Sequence, residues 1–251
     1  MSESPESEGV GTFGPALYRL TQAVAVVLAA FAGAVAVAGG GIGILISGGI
    51  VEPETIGYHL ALTVLQFVGF GVGIVGYVAI TDDRELISYR LPTRFGWGLI
   101  GVGVVVLLIV QFVFGFLLAE FGLEAGENQV VLIGRENPQF FLYMILVSIL
   151  VVGPVEELLF RGVVQGVLRR AVSAWPAIVL AAAFFGLVHV WAVQGTIGQQ
   201  LVYAVVATVL GIVLGYLYER TDNIVVPGLA HGLYNAVLFA IQYVAVTRAF
   251  I

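Results

Sequence analysis

Seven stretches of this chain run about 18 residues or more with few or no charges, enough for a helix rising about 1.5 Å per residue to cross a bilayer. They fall at about 20–47, 57–80, 96–119, 140–169, 174–193, 196–218 and 224–247. Their apolar residues run on without alternation, as in "GLIGVGVVVLLIV" at 98–110. A transmembrane β-barrel needs apolar and polar positions to alternate, so that class is excluded. The pattern predicts an all-α, polytopic membrane helical bundle of about seven transmembrane helices, six to eight being the range its loosely marked ends allow. The fourth stretch is unlike the others. It carries "VVGPVEELLFRG" at 151–162, three ionisable groups in an oily run, and its Gly153-Pro154 pair is expected to kink it or break it in two.

Composition agrees with that reading and narrows the chemistry. Of 251 residues 60% are hydrophobic and 10% charged, with a mean hydropathy of +1.05, more apolar surface than one soluble core of this length can hide. There is no cysteine, which excludes disulfides, thiolate metal sites and a cysteine nucleophile. The net charge of −6 gives nucleic-acid binding no electrostatic support. The opening "MSESPESEGVGTFGP", residues 1–15, is acidic and polar and reads as a short disordered tail. A cleavable signal would start basic, so the first apolar stretch is kept as a membrane helix.

All ten basic residues are arginine, and they set the expected orientation. With the N-terminus cytoplasmic, Arg19, Arg84, Arg90, Arg94, Arg161, Arg169, Arg170 and Arg220 fall on the inner side, against Arg135 and Arg248 outside. That asymmetry follows the positive-inside rule and makes this a multi-pass protein of the cell membrane. The chain divides into the tail, N-terminal membrane helices over 16–125 and a polar-bearing membrane core over 140–247. "GVGIVG" at 71–76 imitates a dinucleotide fingerprint, but it lies within an apolar helix with no preceding strand. Its glycines, like Gly211 and Gly215, are expected to serve close helix packing.

Ionisable side chains at membrane depth cost about 2.5–3.5 kcal/mol each on insertion scales, so their presence points to function. They gather in "EELLFR" (Glu156, Glu157, Arg161), "FFGLVH" (ending at His189) and "NIVVPGLAHGLYN" (His231, Asn235). Glu157 and Arg161 are four apart and share a helix face, as do His231 and Asn235, and Phe185 and His189. Glu156 points about 100° away from Glu157. Counted from the inner helix ends, Glu156, His189 and Asn235 all lie about 18–20 Å deep, with His231 one turn shallower. Three helices thus bring their polar groups to one layer. Hydrolysis of an amide needs an activated water and donors for the oxyanion. Glu156 with His189 supplies the first, and His231 with Asn235 the second. Glu157 and Arg161 are expected to lock the helix that carries Glu156.

The three segments "EELLFRG", "FFGLVH" and "HGLYN" resemble, in order, the E-E-x-x-x-R, F-x-x-x-H and H-x-x-x-N/B motifs of the CPBP family. These are intramembrane proteases related to CAAX prenyl endopeptidases and to Abi-type bacteriocin-processing or immunity proteins. The resemblance spans about 140–240 and implies an intramembrane endopeptidase acting on a membrane-associated protein or peptide, a prenylated tail being one family precedent. It makes Glu156 and His189 the water-activating pair and His231 and Asn235 the oxyanion pair, with Glu157, Arg161 and Phe185 in support. The family is also called a metalloprotease family. A divalent ion such as zinc, held by Glu156, His189 and His231, and a metal-free Glu/His mechanism both remain open at this point, since H-E-x-x-H is absent.

Each residue also has a plainer role. The Glu/Glu/Arg group alone would serve as a structural ion-pair network, a lone membrane histidine or Asn235 as interhelical glue, and Phe185 as core packing. His59, beside Tyr58, reads as an interfacial residue, and Gln111, Gln165 and Gln242 as helix–helix contacts. Two other functions compete: a proton-coupled transporter using the same groups as a relay, and a catalytically silent peptide-binding or immunity protein. No inverted repeat supports the transporter. Nothing in the sequence fixes the oligomeric state.

Overall fold

The computed structural model describes residues 10–248. Among them seven helices are long and apolar enough to cross a membrane. They are α1 (Val10–Ser47), α2 (Ile56–Thr81), α3 (Arg94–Glu120), α5 (Gln139–Arg169), α6 (Ala174–Val188), α7 (Ile197–Thr221) and α8 (Val225–Arg248); the short α4 (Gln129–Glu136) lies between α3 and α5. The expected spans therefore stand, with ends shifted by a few residues. The tail expected over 1–15 falls largely outside the described residues, but its last part is helical, since α1 already begins at Val10.

Local chemistry sets the helix ends. Thr55 and Thr93 accept from the backbone N–H of Tyr58 and Gly96, and Thr196 forms a reciprocal capping box with Gln199 ahead of α7. Asp82 and Asp222 end α2 and α7 in the left-handed region, at φ 54° and 44°.

With no hydrophobic drive between helices in lipid, close packing has to hold the bundle. α1 and α2 cross so tightly that a Cβ on Gly69 would lie 2.6 Å from Ala34 Cα. Gly73, from the false fingerprint, likewise meets Ala30, whereas Gly71 and Gly76 face open space. α5 is clasped by α8, where a Cβ on Gly232 would lie 2.6 Å from Ser148 O. α6 packs on α7, and α3 packs on α7 and α8.

α5 departs from expectation. Gly153-Pro154 does not break it, because the helix widens into π turns at Ser148–Val152 and Leu158–Gln165 and continues to Arg169. A proline in an α-helix drives its ring into the carbonyl four residues back. The wider turn just before Gly153, whose N–H bonds to Ser148 O, removes that clash. π turns of this kind concentrate at functional sites.

Candidate active site

Between the two π segments Glu156 and Glu157 sit on one α turn, and the altered register brings both carboxylates to a single imidazole. Glu157 Oε1 lies 2.9 Å from His231 Nδ1, and Glu156 Oε2 lies 3.8 Å from His231 Nε2. The 100° separation expected from a uniform helix therefore does not part the two groups. Glu157 is fully buried, and Glu156 keeps 18% of its side-chain exposure.

Glu157 also faces Arg161, as the four-residue spacing predicts. Arg161 Nε approaches its Oε2 at 3.0 Å, without the alignment of a hydrogen bond. The fully buried guanidinium also donates to Gly211 O at 2.8 Å and rests 4.7 Å above the Phe185 ring centroid. Gly211 explains how α7 allows this, because a Cβ there would lie 3.2 Å from Nη2. One turn along α5 Gln165 repeats the motif, donating to Gly215 O at 3.3 Å and to Glu219 at 3.2 Å. Gln165 and Gln111, which accepts from Tyr234 Oη at 2.9 Å, are the helix–helix contacts expected of them.

His189 stands where α6 ends and a 3-10 turn begins. Its Nδ1 lies 2.6 Å from Phe185 O, an oxygen that can only accept, so in the neutral ring Nδ1 carries the hydrogen and Nε2 is bare. By the same reasoning Glu157 fixes the hydrogen of neutral His231 on Nδ1 and leaves Nε2 turned toward Glu156. Phe185 lies between the two imidazoles, with ring centroids 4.4 Å from His189 and 5.7 Å from His231. It is the hydrophobic spacer of the site as well as core packing.

Glu156, His189, His231 and Asn235 all line one cavity of about 760 Å³, so segments far apart in sequence meet there. Two neighbours escaped the sequence reading. Tyr203 stacks on His189 at 6.2 Å and accepts from Asn128, and Asn128 belongs to a two-residue bridge, Glu127–Asn128, paired antiparallel with Val193–Gln194 just beyond His189. His59, expected at an interface without a partner on its helix, lines the same cavity, with Glu54 from the preceding loop at 3.7 Å. A tyrosine or histidine within an apolar run gives no sign in sequence of which helix it will face.

A catalytic zinc takes three protein ligands at about 2.0–2.2 Å. Among the described residues no three His, Asp or Glu side chains come together as a metal-binding group. As placed, Glu156, His189 and His231 do not fit such an ion, and no step is derived through one.

The fold and the site define a polytopic helical membrane protein with Glu, His and Asn side chains lining a cavity among its membrane-length helices. Residues 138–237, from the start of α5 to just past Asn235, match the family described as Type II CAAX prenyl endopeptidase Rce1-like. The chain is 26% identical over 177 residues to "Uncharacterized protein YpbD" of Bacillus subtilis (strain 168), covering 70% of this chain and 82% of that protein. It is 32% identical over 149 residues to "Putative membrane peptidase YdiL" of the same organism, covering 54% of this chain and 57% of that protein. No solved structure matches.

Proposed function

We propose that this protein is an intramembrane endopeptidase of the cell membrane that hydrolyses a peptide bond of a membrane-associated polypeptide. The observation that supports it most is the meeting of Glu156 and His231 Nε2 across 3.8 Å inside the cavity. A carboxylate and a bare imidazole nitrogen are both acceptors, so a proton that Glu156 takes finds a second acceptor beside it.

Water held at Glu156, with His189 Nε2 as its second acceptor, attacks the scissile carbonyl carbon while Glu156 takes its proton. The oxyanion that forms receives hydrogen bonds from Asn235 and from His231, whose Nε2 shares the proton that Glu156 has just taken from water. The tetrahedral intermediate then collapses. The C–N bond breaks, and Glu156 passes its proton to the departing amine. Glu157 and Arg161 act behind His231 by fixing its orientation.

Removing a general base costs typically about 10²–10⁴-fold in rate. Wild-type, Glu156→Ala and His189→Ala proteins are to be reconstituted in liposomes with a pool of quenched-fluorescent apolar peptides. Both variants are expected to lose at least about 10²-fold in cleavage while melting within a few degrees of wild type. Cleavage that survives both substitutions would remove the proposal.

A further inference from the structure

An amide inside a helix is poorly placed for hydrolysis. Its C=O is bonded along the helix and the next turn crowds the carbonyl carbon, so the chain has to be drawn out before water can attack. Drawing it out strips N–H and C=O groups of their partners where lipid offers none. A protein that holds such a substrate has to supply backbone partners of its own.

One segment beside the site is built to do so. Residues 123–126 run without helix or turn from α3 to the bridge strand β1 (Glu127–Asn128), which pairs antiparallel with β2 (Val193–Gln194). Gly126 permits the close approach, because a Cβ there would lie 2.9 Å from Val193 Cγ2. The sheet has two strands, so among the described residues β1 has no neighbour on its other edge. Neither the N–H nor the C=O of Ala125 makes a backbone hydrogen bond among them.

The cavity lies along that open edge. Side chains of a strand alternate between its two faces, so a cavity against one face would touch every second residue. Ala125, Gly126, Glu127, Asn128 and Gln129 all line it in succession, while Val193 and Gln194 do not. The cavity therefore runs beside β1, with β2 behind. An unpaired strand edge is where a further extended chain adds by main-chain hydrogen bonds.

The edge is held firmly and stands close to the chemistry. Gly126 N donates to Gln199 O at 2.9 Å, and Gln199 Nε2 donates to Glu124 at 2.9 Å, which fastens the segment to the start of α7. Asn128 Oδ1 accepts from Val130 N at 2.9 Å. Its Nδ2 donates to Tyr203 Oη at 3.2 Å, and Tyr203 stacks on His189 at 6.2 Å. At about 3.3 Å per residue, about four residues of extended chain span from the Asn128 amide to His189.

From the open edge, its place in the cavity wall and its link to His189, we infer that Ala125–Asn128 is a substrate-binding strand. It takes one stretch of extended polypeptide as a third strand and leads it to Glu156 and His189. The ligand is an unwound segment of a membrane polypeptide, recognised through its backbone, with alternate side chains falling against the apolar cavity wall. This deepens the peptidase reading and rests on it for the fate of the bound chain, but the binding needs no catalysis.

Backbone N-methylation tests the pairing, since it removes N–H donors and leaves side chains unchanged. Three fluorescent peptides of one valine- and threonine-rich sequence are to be titrated into the Glu156→Gln protein in detergent and followed by anisotropy. One is unmodified, one is N-methylated at alternate residues, and one is N-methylated at every central residue. A strand bonds one neighbour through alternate residues, so the second peptide keeps one edge intact. It is expected to bind within about threefold of the unmodified peptide, and the third at least about tenfold more weakly. Ala125→Pro, which removes an N–H from the edge, is expected to weaken the unmodified peptide by about tenfold as well; should that variant misfold, the peptide series decides alone. Equal affinity for all three peptides, equal loss for both methylated ones, or no binding of any would overturn the inference, and cleavage in the liposome assay would then still uphold the peptidase reading. The single-edge pattern without cleavage would do the reverse.

Discussion

Glu157→Gln separates the two roles of the buried acid. The side chain keeps its volume, but its single carbonyl oxygen cannot serve both Arg161 and the Nδ1–H of His231 as the two carboxylate oxygens do at 3.0 and 2.9 Å. If the carbonyl turns to Arg161, the amide NH₂ faces Nδ1 and imposes the other tautomer, so the hydrogen moves to Nε2 from the start, where it engages Glu156 and weakens the base that must take a proton from water. The comparable Asp→Asn change in the serine-protease triad lowers turnover about 10⁴-fold through the wrong tautomer. If the carbonyl turns to His231 instead, NH₂ confronts a guanidinium that has lost its charge partner, and breaking one side of a buried pair costs about 3–5 kcal/mol. The expected outcome is a loss of about 10²–10⁴-fold in peptide cleavage, equal to about 3–5 kcal/mol of activation free energy, with a lower melting temperature in detergent. Glu157→Gln/Arg161→Met tells the causes apart. It removes the stranded guanidinium and is expected to regain much of the thermal stability, while cleavage stays low because the tautomer is still unfixed. A well-folded Glu157→Gln protein that cleaves within about threefold of wild type would refute this account of His231.

Gly232→Ala places a Cβ 2.6 Å from Ser148 O and 2.7 Å from Ile149 Cα, backbone atoms that cannot swing aside. Thermal unfolding in detergent is expected to show a loss of about 1–3 kcal/mol, and cleavage should fall too because His231 is the adjacent residue; an unchanged melt would mean that α8 and α5 part freely. Asn223→Ala removes both bonds to the Arg90 backbone and one from Val225 N. It is expected to cost about 1–3 kcal/mol and to speed proteolytic nicking within 82–93, whereas nicking at the wild-type rate would show that this segment is held without it.

The helices were legible in sequence because the bilayer demands long uninterrupted apolar runs, and the seven runs ended within a few residues of the structural ones, α1 excepted. The polar cluster was legible for the same reason, since each ionisable group at depth stands out against its surroundings. What stayed hidden depended on helix register and neighbours. A regular 100° step placed Glu156 and Glu157 on different faces, and no residue pattern announces that π turns on both sides will bring them to the same ring. Gly153-Pro154 signalled a disturbance without its form. Tyr203 and His59 look like ordinary interfacial aromatics along the chain; only the folding of α2 and α7 around one cavity gives them a place beside the site.

The bilayer also explains why the supporting groups are arranged in series. A polar group at this depth has no water to fall back on, so each must find its partner within the protein. Gly211 O holds Arg161, Arg161 pairs with Glu157, Glu157 fixes His231, and His231 turns its remaining nitrogen to Glu156. At each link the desolvated group is offset by the next, until Glu156, which is partly exposed to the cavity and has no protein partner within hydrogen-bond distance. The series thus delivers two unmatched acceptors, Glu156 and the bare Nε2 of His231, to the place where substrate and water can arrive. Supplying Arg161 with a different acceptor would leave that logic intact, whereas cutting the series at Glu157 strands a charge on one side and frees an imidazole on the other. For that reason Glu157, fully buried like Arg161, is expected to be nearly as intolerant of change as Glu156 itself.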